Sequence, residues 1–307
     1  MLFRQCSSSI VVSIPLPAKL LVIALVTSAS FNMKACASWL PPCLFLSLLS
    51  CEAKMKISVV TAVFNRADTI RDAIDSVRAQ TYRAVEHVIQ DGESYDGTLQ
   101  IVREATDASA IIISEKDDGI YDAINRGIAR ATGDVIGLMH SDDLFSHNDV
   151  LEKIADAFAN PRVDGVYGDL QYVAADDVER VIRHWRSGQY RPALLRRGWM
   201  PPHPTLYLRR EVFENFGIYD TSFQIAADYD AILRYLIMGR ITLAYIPEVL
   251  VRMRLGGESN RSLGRIVQKS REDLRALKNN GVGGVGTLAA KNLSKLGQFI
   301  FKDTRST

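Results

Sequence analysis

From Met55 onward, short β-branched runs alternate with amphipathic helical stretches, and this rhythm limits the available folds more than any other feature. "ISVVTAV" (57–63) is the continuous apolar run expected of a strand buried on both faces. "ADTIRDAIDSVRAQ" follows, with Ile70, Ile74 and Val77 on one helical face. "VEHVIQ" (85–90), "GTLQIVREAT", "AIIISE" (110–115), "YDAINRGIARA", "DVIGLM" (134–139), "NDVLEKIADAFA" and "VDGVYGD" continue the alternation. The expected fold class is α/β, a mostly parallel central sheet with helices on both faces and right-handed crossovers. After residue 170 the rhythm breaks. Residues 180–210 hold eight arginines and no acid, interleaved with Trp185, Tyr190 and Trp199. Helices are expected at "REVFENFG" and "DYDAILRYLIMG", a strand at "ITLAYIP", and a largely helical tail over 265–302.

A chain of 307 residues, 47% of them apolar, can bury one large α/β domain or two small ones. Its net charge of +2 argues against a general nucleic-acid binder. Cys6, Cys36, Cys43 and Cys51 are the only cysteines, so everything after residue 51 does without disulfides or thiolate metal sites. Residues 1–54 form an apolar N-terminal extension interrupted by Pro15, Pro17, Lys19, Pro41 and Pro42. Neither of its apolar runs reaches the roughly 20 uninterrupted residues of a membrane span. The extension reads equally as an anchor or as sequence upstream of a start at Met55, where "MKISVV" leads into the first strand.

Ligands of an open parallel sheet bind beyond the carboxyl ends of its strands. Here those ends read Phe64-Asn65, Asp91-Gly92, Glu115-Lys116-Asp117-Asp118 and Asp142-Asp143. Carboxylates gathered on one edge repel each other, and a hard cation, Mg²⁺ or Mn²⁺ shared with phosphate oxygens, would offset that cost. Any single one of these acids is equally at home as a cap or turn former. No G-x-G-x-x-G follows the first strand, and neither a P-loop nor a G-x-S-x-G elbow occurs. Dinucleotide, P-loop and serine-hydrolase chemistries are thereby disfavoured.

"ISVVTAVFNRADTIRDAIDSVRAQTY", "VIQDGESYDGT", "DDGIYDAINRGIARATGDVIGLMHSDD" and "AADYDAILR", in this order, resemble the family 2 glycosyltransferases of the GT-A fold, of the type that builds bacterial exopolysaccharide or lipopolysaccharide. The resemblance spans about residues 56–260, which sets a glycosyltransferase domain at 55–260 and a helical C-terminal tail at 261–307. It implies inverting transfer of a sugar from a nucleotide-sugar donor, expected to be UDP-linked, to a glycan or lipid-linked saccharide acceptor. Mn²⁺ or Mg²⁺ would be the cofactor. By position, Ala62 and Phe64 touch the nucleobase, with Phe64 in place of the more usual Tyr, and Asp91 hydrogen-bonds the base. Asp118 and Asn125 lie in the segment lining the nucleotide sugar. "HSDD" matches the family's D-x-D motif, with Asp142 at its metal-binding second acid and Asp143 after it. His140 replaces the first acid; a neutral imidazole there can bond a ribose hydroxyl or bind a transition metal, but adds no negative charge.

Asp228 matches the general base, which takes the proton of the attacking acceptor hydroxyl. Ala227 stands where the family often has Glu, and Asp230 is the spare candidate. "PPHPTLYLRR" resembles the acceptor side, with His203 and the nearby Trp199 lining it. Arg254, before a glycine-bearing loop, would reach the departing diphosphate. The arginine-rich stretch suits a lipid pyrophosphate, or is simply a solvated basic face. In the tail, Ala289, Leu293, Leu296 and Ile300 share one helical face, which would either lie on a membrane surface or dock on the domain. By family, the expected location is cytoplasmic, at the inner face of the membrane. Two alternatives stand beside this reading. A nucleotidyltransferase of similar sheet would normally carry a glycine-rich loop where this chain has "TAVFNRADT". A catalytically silent binding or scaffold subunit would find its support in the substitutions at His140 and Ala227.

Overall fold

The structure is a computed structural model and describes residues 54–255 and 263–300, all within one unit, Lys54–Thr307. The N-terminal extension before residue 54 and the loop 256–262 after Arg254 lie outside the described residues. β1 (Ile57–Val63), β2 (Val85–Asp91), β3 (Ile111–Ser114) and β4 (Val135–Leu138) alternate with α1 (Ile70–Arg78), α2 (Thr98–Ala105) and α3 (Ile120–Arg130). These four strands are parallel, in the order β3-β2-β1-β4. Pairing of Val63 with Asp91, and of Asp91 with Ser114, brings the carboxyl ends of β1, β2 and β3 level on one edge.

Period-2 alternation along β1 decides which helices cover which face. Ile57 and Val59 point toward α1 and α4 (Val150–Phe158), packing with Ala73, Val77, Leu151 and Ile154. Val60 and Ala62 point the other way, onto Ala123, Ile124 and Ile128 of α3. Fully burying one such aliphatic side chain contributes about 1.5–3 kcal/mol.

Beyond β4 the sheet turns mixed. β5 (Leu144–Phe145), β6 (Gly165–Val173), β7 (Val181–Trp185), β8 (Tyr207–Arg209) and β9 (Leu243–Arg254) complete the order β3-β2-β1-β4-β8-β6-β9-β5, with β7 paired to β6. β8 runs antiparallel to both β4 and β6, and β6 runs parallel to β9. The seam needs a glycine: a Cβ on Gly137 of β4 would lie 2.1 Å from the buried ring of Tyr207 on β8.

α5 (Arg210–Phe216) follows β8, and α6 (Ala227–Ile237) packs on the α3 face of the sheet. The tail forms α7 (Leu263–Asn279) and α8 (Val285–Ile300), and Ala276, Leu277 and Val282 join the same core as α6. The hairpin docks, and of the stripe expected from its sequence Ala289 and Leu293 are exposed, while the side chains of Leu296 and Ile300 lie outside the described residues. Thr287 and Lys291 face inward, while Leu293 is 65% exposed. An ion pair explains the inversion: Lys291 Nζ lies 2.8 Å from Asp273 of α7 and 3.2 Å from the Tyr229 ring centre. Among the described residues no helix is long and apolar enough to cross a membrane.

Candidate active site

The "HSDD" stretch leaves β4 as a tight turn, with the Asp143 N–H donating to the His140 carbonyl at 3.1 Å. That turn sends the two neighbouring acids in different directions. Asp143 is fully buried, and its Oδ1 accepts the Arg254 backbone N–H at 3.2 Å. Its Oδ2 has no hydrogen-bond partner. Burial, and then the neighbouring Asp142, push the Asp143 carboxyl well above the usual range. Asp142 is only half-buried, and nothing among the described residues hydrogen-bonds or ion-pairs with its carboxylate. Arg254 braces the turn, donating from Nη1 to the Asp142 carbonyl at 3.1 Å and pairing through Nη2 with Asp72 of α1.

His140 turns toward the acceptor-side segment. Its Nε2 lies 2.8 Å from His203 Nε2, and His203 Nδ1 lies 3.1 Å from Asp228 Oδ2. Burial, and then the His203 charge, lower the His140 pKa to about 3, so its imidazole is neutral at physiological pH. His203 Nδ1 faces a carboxylate and carries hydrogen, and its Nε2 shares one hydrogen bond with His140 Nε2. His203 opens a 3-10 turn, His203–Thr205, flanked by Pro202 and Pro204, which fix its backbone.

Asp228 is the second residue of α6, where the helix dipole favours negative charge. The Tyr121 hydroxyl, from α3, is 3.2 Å from its Oδ1 and 2.8 Å from the Ile225 carbonyl. Burial raises the Asp228 pKa, but His203, then Lys269 and Lys291, outweigh it and hold the carboxyl below the usual range. Asp228 is therefore ionised, oriented from two sides and 16% exposed. Asp230 is different in kind: it accepts from Asn280 Nδ2 at 3.0 Å at the end of α7, and burial raises its pKa.

At the other end of the edge, Asp91 is fully buried and accepts from Ser114 Oγ at 2.6 Å and the Ser94 N–H at 3.1 Å. Phe64 is 52% exposed, with Tyr95 packed edge-on at 6.0 Å, and Ala62 is buried. A Cβ on Gly92 would lie 2.5 Å from the Asp117 carboxylate, so a side chain there would need Asp117 to swing away. Asp118 is exposed at the start of α3, its N–H donating to Asp122 at 3.1 Å.

Not every expected residue has a side chain free to meet a ligand. Asn125 spends both ends of its amide on the Tyr219 backbone, at 2.8 and 3.0 Å, pinning the loop before α6. Trp199 donates to the Ser187 carbonyl at 2.8 Å and stacks on Tyr190 at 5.1 Å, within an aromatic cluster that includes Tyr167. His140, Asp142 and Asp143 do not converge as a three-residue metal set, and no group of three or more such ligands occurs among the described residues. The reason is visible: one is committed to His203, and another is buried against Arg254. A hard cation sharing a diphosphate needs only one or two protein carboxylates, and Asp142 fits that requirement. Sequence reading passed over Tyr121, although it lies inside the quoted "DDGIYDAINRG".

Residues 58–226 match the model of Glycosyl transferase family 2. An uncharacterized glycosyltransferase of Mycobacterium tuberculosis is 33% identical over 183 residues, covering 58% of this chain and 68% of its own. A PGL/p-HBAD biosynthesis glycosyltransferase of Mycobacterium bovis is 29% identical, covering 66% and 78%. Among solved structures, a mannosyltransferase from Pyrobaculum calidifontis in complex with GDP-Man and Mn²⁺ superposes with a TM-score of 0.58 at 19% identity, covering 80% of this chain and 72% of that one. TarS 1-349 of S. aureus in complex with UDP-GlcNAc gives 0.57 at 16% identity, covering 74% and 66%. The fold is thus that of the GT-A glycosyltransferases. With the family model matching more than half its length, this chain is a glycosyltransferase and belongs to glycosyl transferase family 2.

Proposed function

We propose that the protein transfers a sugar, with inversion, from a UDP-linked donor to a hydroxyl of a glycan or lipid-linked saccharide in polysaccharide biosynthesis, and that Asp228 is the general base. The observation that carries this reading is an ionised carboxylate on the first turn of α6, aimed by His203 and Tyr121 and tied through His140 to the turn holding Asp142. As the acceptor oxygen attacks the anomeric carbon, Asp228 takes its proton. His203 keeps the carboxylate oriented, and His140 holds the His203 ring in place through the bond between their Nε2 atoms. Phe64 and Tyr95 offer ring faces to the base, with Asp91 at the end of the neighbouring strand. Asp142 would hold Mn²⁺ or Mg²⁺, which when bound neutralises the developing diphosphate charge. Arg254 fixes the turn that presents Asp142, and Asn125 acts on the donor side by holding the loop before α6. Trp199 forms part of the wall on the acceptor side.

The nucleotide-sugar complexes of the two solved structures of similar fold, one with GDP-Man and one with UDP-GlcNAc, support a nucleotide-sugar donor. The acceptor class and a cytoplasmic place at the inner membrane face rest on the family resemblance, with the exposed Arg191, Arg196 and Arg197 as the surface that would meet anionic lipid. Asp228→Asn removes the base while keeping the shape of the side chain. Transfer should fall by about 100- to 10,000-fold with binding of the UDP-sugar retained. Near-normal turnover would refute the assignment.

A further inference from the structure

We infer that Glu272 of α7 is a positioning residue for Asp228, which makes the α7–α8 hairpin part of the active site; the inference rests on the assignment of Asp228 as base. α6 starts at Ala227 with Ala226 as N-cap, and that residue has no side chain to accept from the free N–H groups of the first turn. Glu272, from another element, instead holds the two residues that lead into the helix. Its Oε2 accepts the Ile225 N–H at 2.8 Å and the Ala226 N–H at 3.0 Å. Gln268, one helical turn earlier on α7, donates from Nε2 to Glu272 Oε1 at 3.0 Å and to Gln224 Oε1 at 2.7 Å. Residues 224–226 therefore hang from one face of α7.

That run ends two residues before Asp228. Its Ile225 carbonyl is also the group that the Tyr121 hydroxyl reaches at 2.8 Å, while the same hydroxyl lies 3.2 Å from Asp228 Oδ1. Displacing the run moves the base and the group holding it together. The hairpin is rigid enough for the task. Asp273, next to Glu272, is buried against Lys291, and Ala276 and Leu277 are fully buried. Gly198 lets α8 approach closely, since a Cβ there would sit 2.3 Å from Lys291 Cβ. α7 lies beyond the residues that match the family model, so this support comes from outside the matched segment.

A plain helix cap would affect stability and leave turnover of the folded enzyme alone. The test uses the full chain with Glu272→Ala, Glu272→Gln and Asp228→Asn, with Mn²⁺-dependent hydrolysis of UDP-glucose, UDP-galactose and UDP-GlcNAc as the probes. Glu272→Ala should lower kcat by about 100-fold with little change in KM, the scale expected of a small misplacement of a catalytic group. Glu272→Gln keeps a carbonyl oxygen for both N–H groups and should restore most of that loss. A folded Glu272→Ala variant with wild-type kcat, beside an inactive Asp228→Asn, overturns the inference. An active Asp228→Asn overturns the base assignment instead. The imidazole ¹⁵N resonances of His203 give the same answer without any donor: Glu272→Ala should shift them away from the carboxylate-bonded pattern, Glu272→Gln should not, and no shift in either overturns the proposal. Should Glu272→Ala fail to fold, Gln268→Ala replaces it in both measurements, with the same expected and overturning results.

Discussion

A histidine in place of an acid changes the charge that the "HSDD" turn presents. His140 is neutral and committed to His203, Asp143 is fully buried, and Asp142 is the half-buried acid whose carboxylate no described residue engages. Cation binding should therefore depend on a single side chain. In a thermal-shift titration, Mn²⁺ with a bound UDP-sugar at 100 times its Kd should stabilise the wild type by about 2.7 kcal/mol, and Asp142→Ala should lose the Mn²⁺-dependent part. Retention of that part would remove Asp142 from the metal site. Asp228 and Asp142 were legible in the sequence because ordered short motifs mark them. Their partners were not. His140 and His203 are 63 residues apart, and Tyr121 and Asp228 are 107 apart, so no local pattern encodes the bonds between them. Asn125 was legible by position, yet its side chain serves the Tyr219 backbone, a detail that only packing decides.

At the level of elements, periodicity carried the reading wherever an element was long enough to have a period. β1 through β4 and α1 through α4 follow the alternation, while β5 and β8, of two and three residues, give too little pattern to read. The antiparallel insertion of β8 was invisible for that reason. One buried acid ties the opposite end of the parallel strands together. Glu86 of β2 accepts from Lys56, Ser58 and Thr132, each at 2.6 Å. Burial alone would raise its pKa, but these bonds lower it from 4.5 to about 2. With the folded value depressed, its contribution is complete above about pH 4.5 and is lost as pH falls toward 2. Glu86→Gln should cost about 1–3 kcal/mol at pH 7. In urea denaturation, its gap to wild type should narrow across that acid window; a gap independent of pH would contradict the assignment.

For the molecule as a whole, the tail is integral to the domain rather than an appendage. Docking was one of the two outcomes expected from its sequence, but the face was not legible, because α8 turns a lysine inward and a lysine reads as solvent-facing until its partner is known. Lys291 and Asp273 are each 3% exposed. Lys291→Met leaves a buried carboxylate unpaired and should cost about 3–5 kcal/mol. The loss should appear as one cooperative transition at lower denaturant, since the hairpin shares a core with α6. A separate early transition would mark the tail as an independent unit. The junction between the parallel and antiparallel halves carries an implication for how such chains diverge. Gly137 leaves the space that the Tyr207 ring fills, and a methyl group on one strand excludes the aromatic on the other. The two sites are locked into joint substitution: a descendant that gains a side chain at the first must shrink the second, or lose the register that joins its two half-sheets.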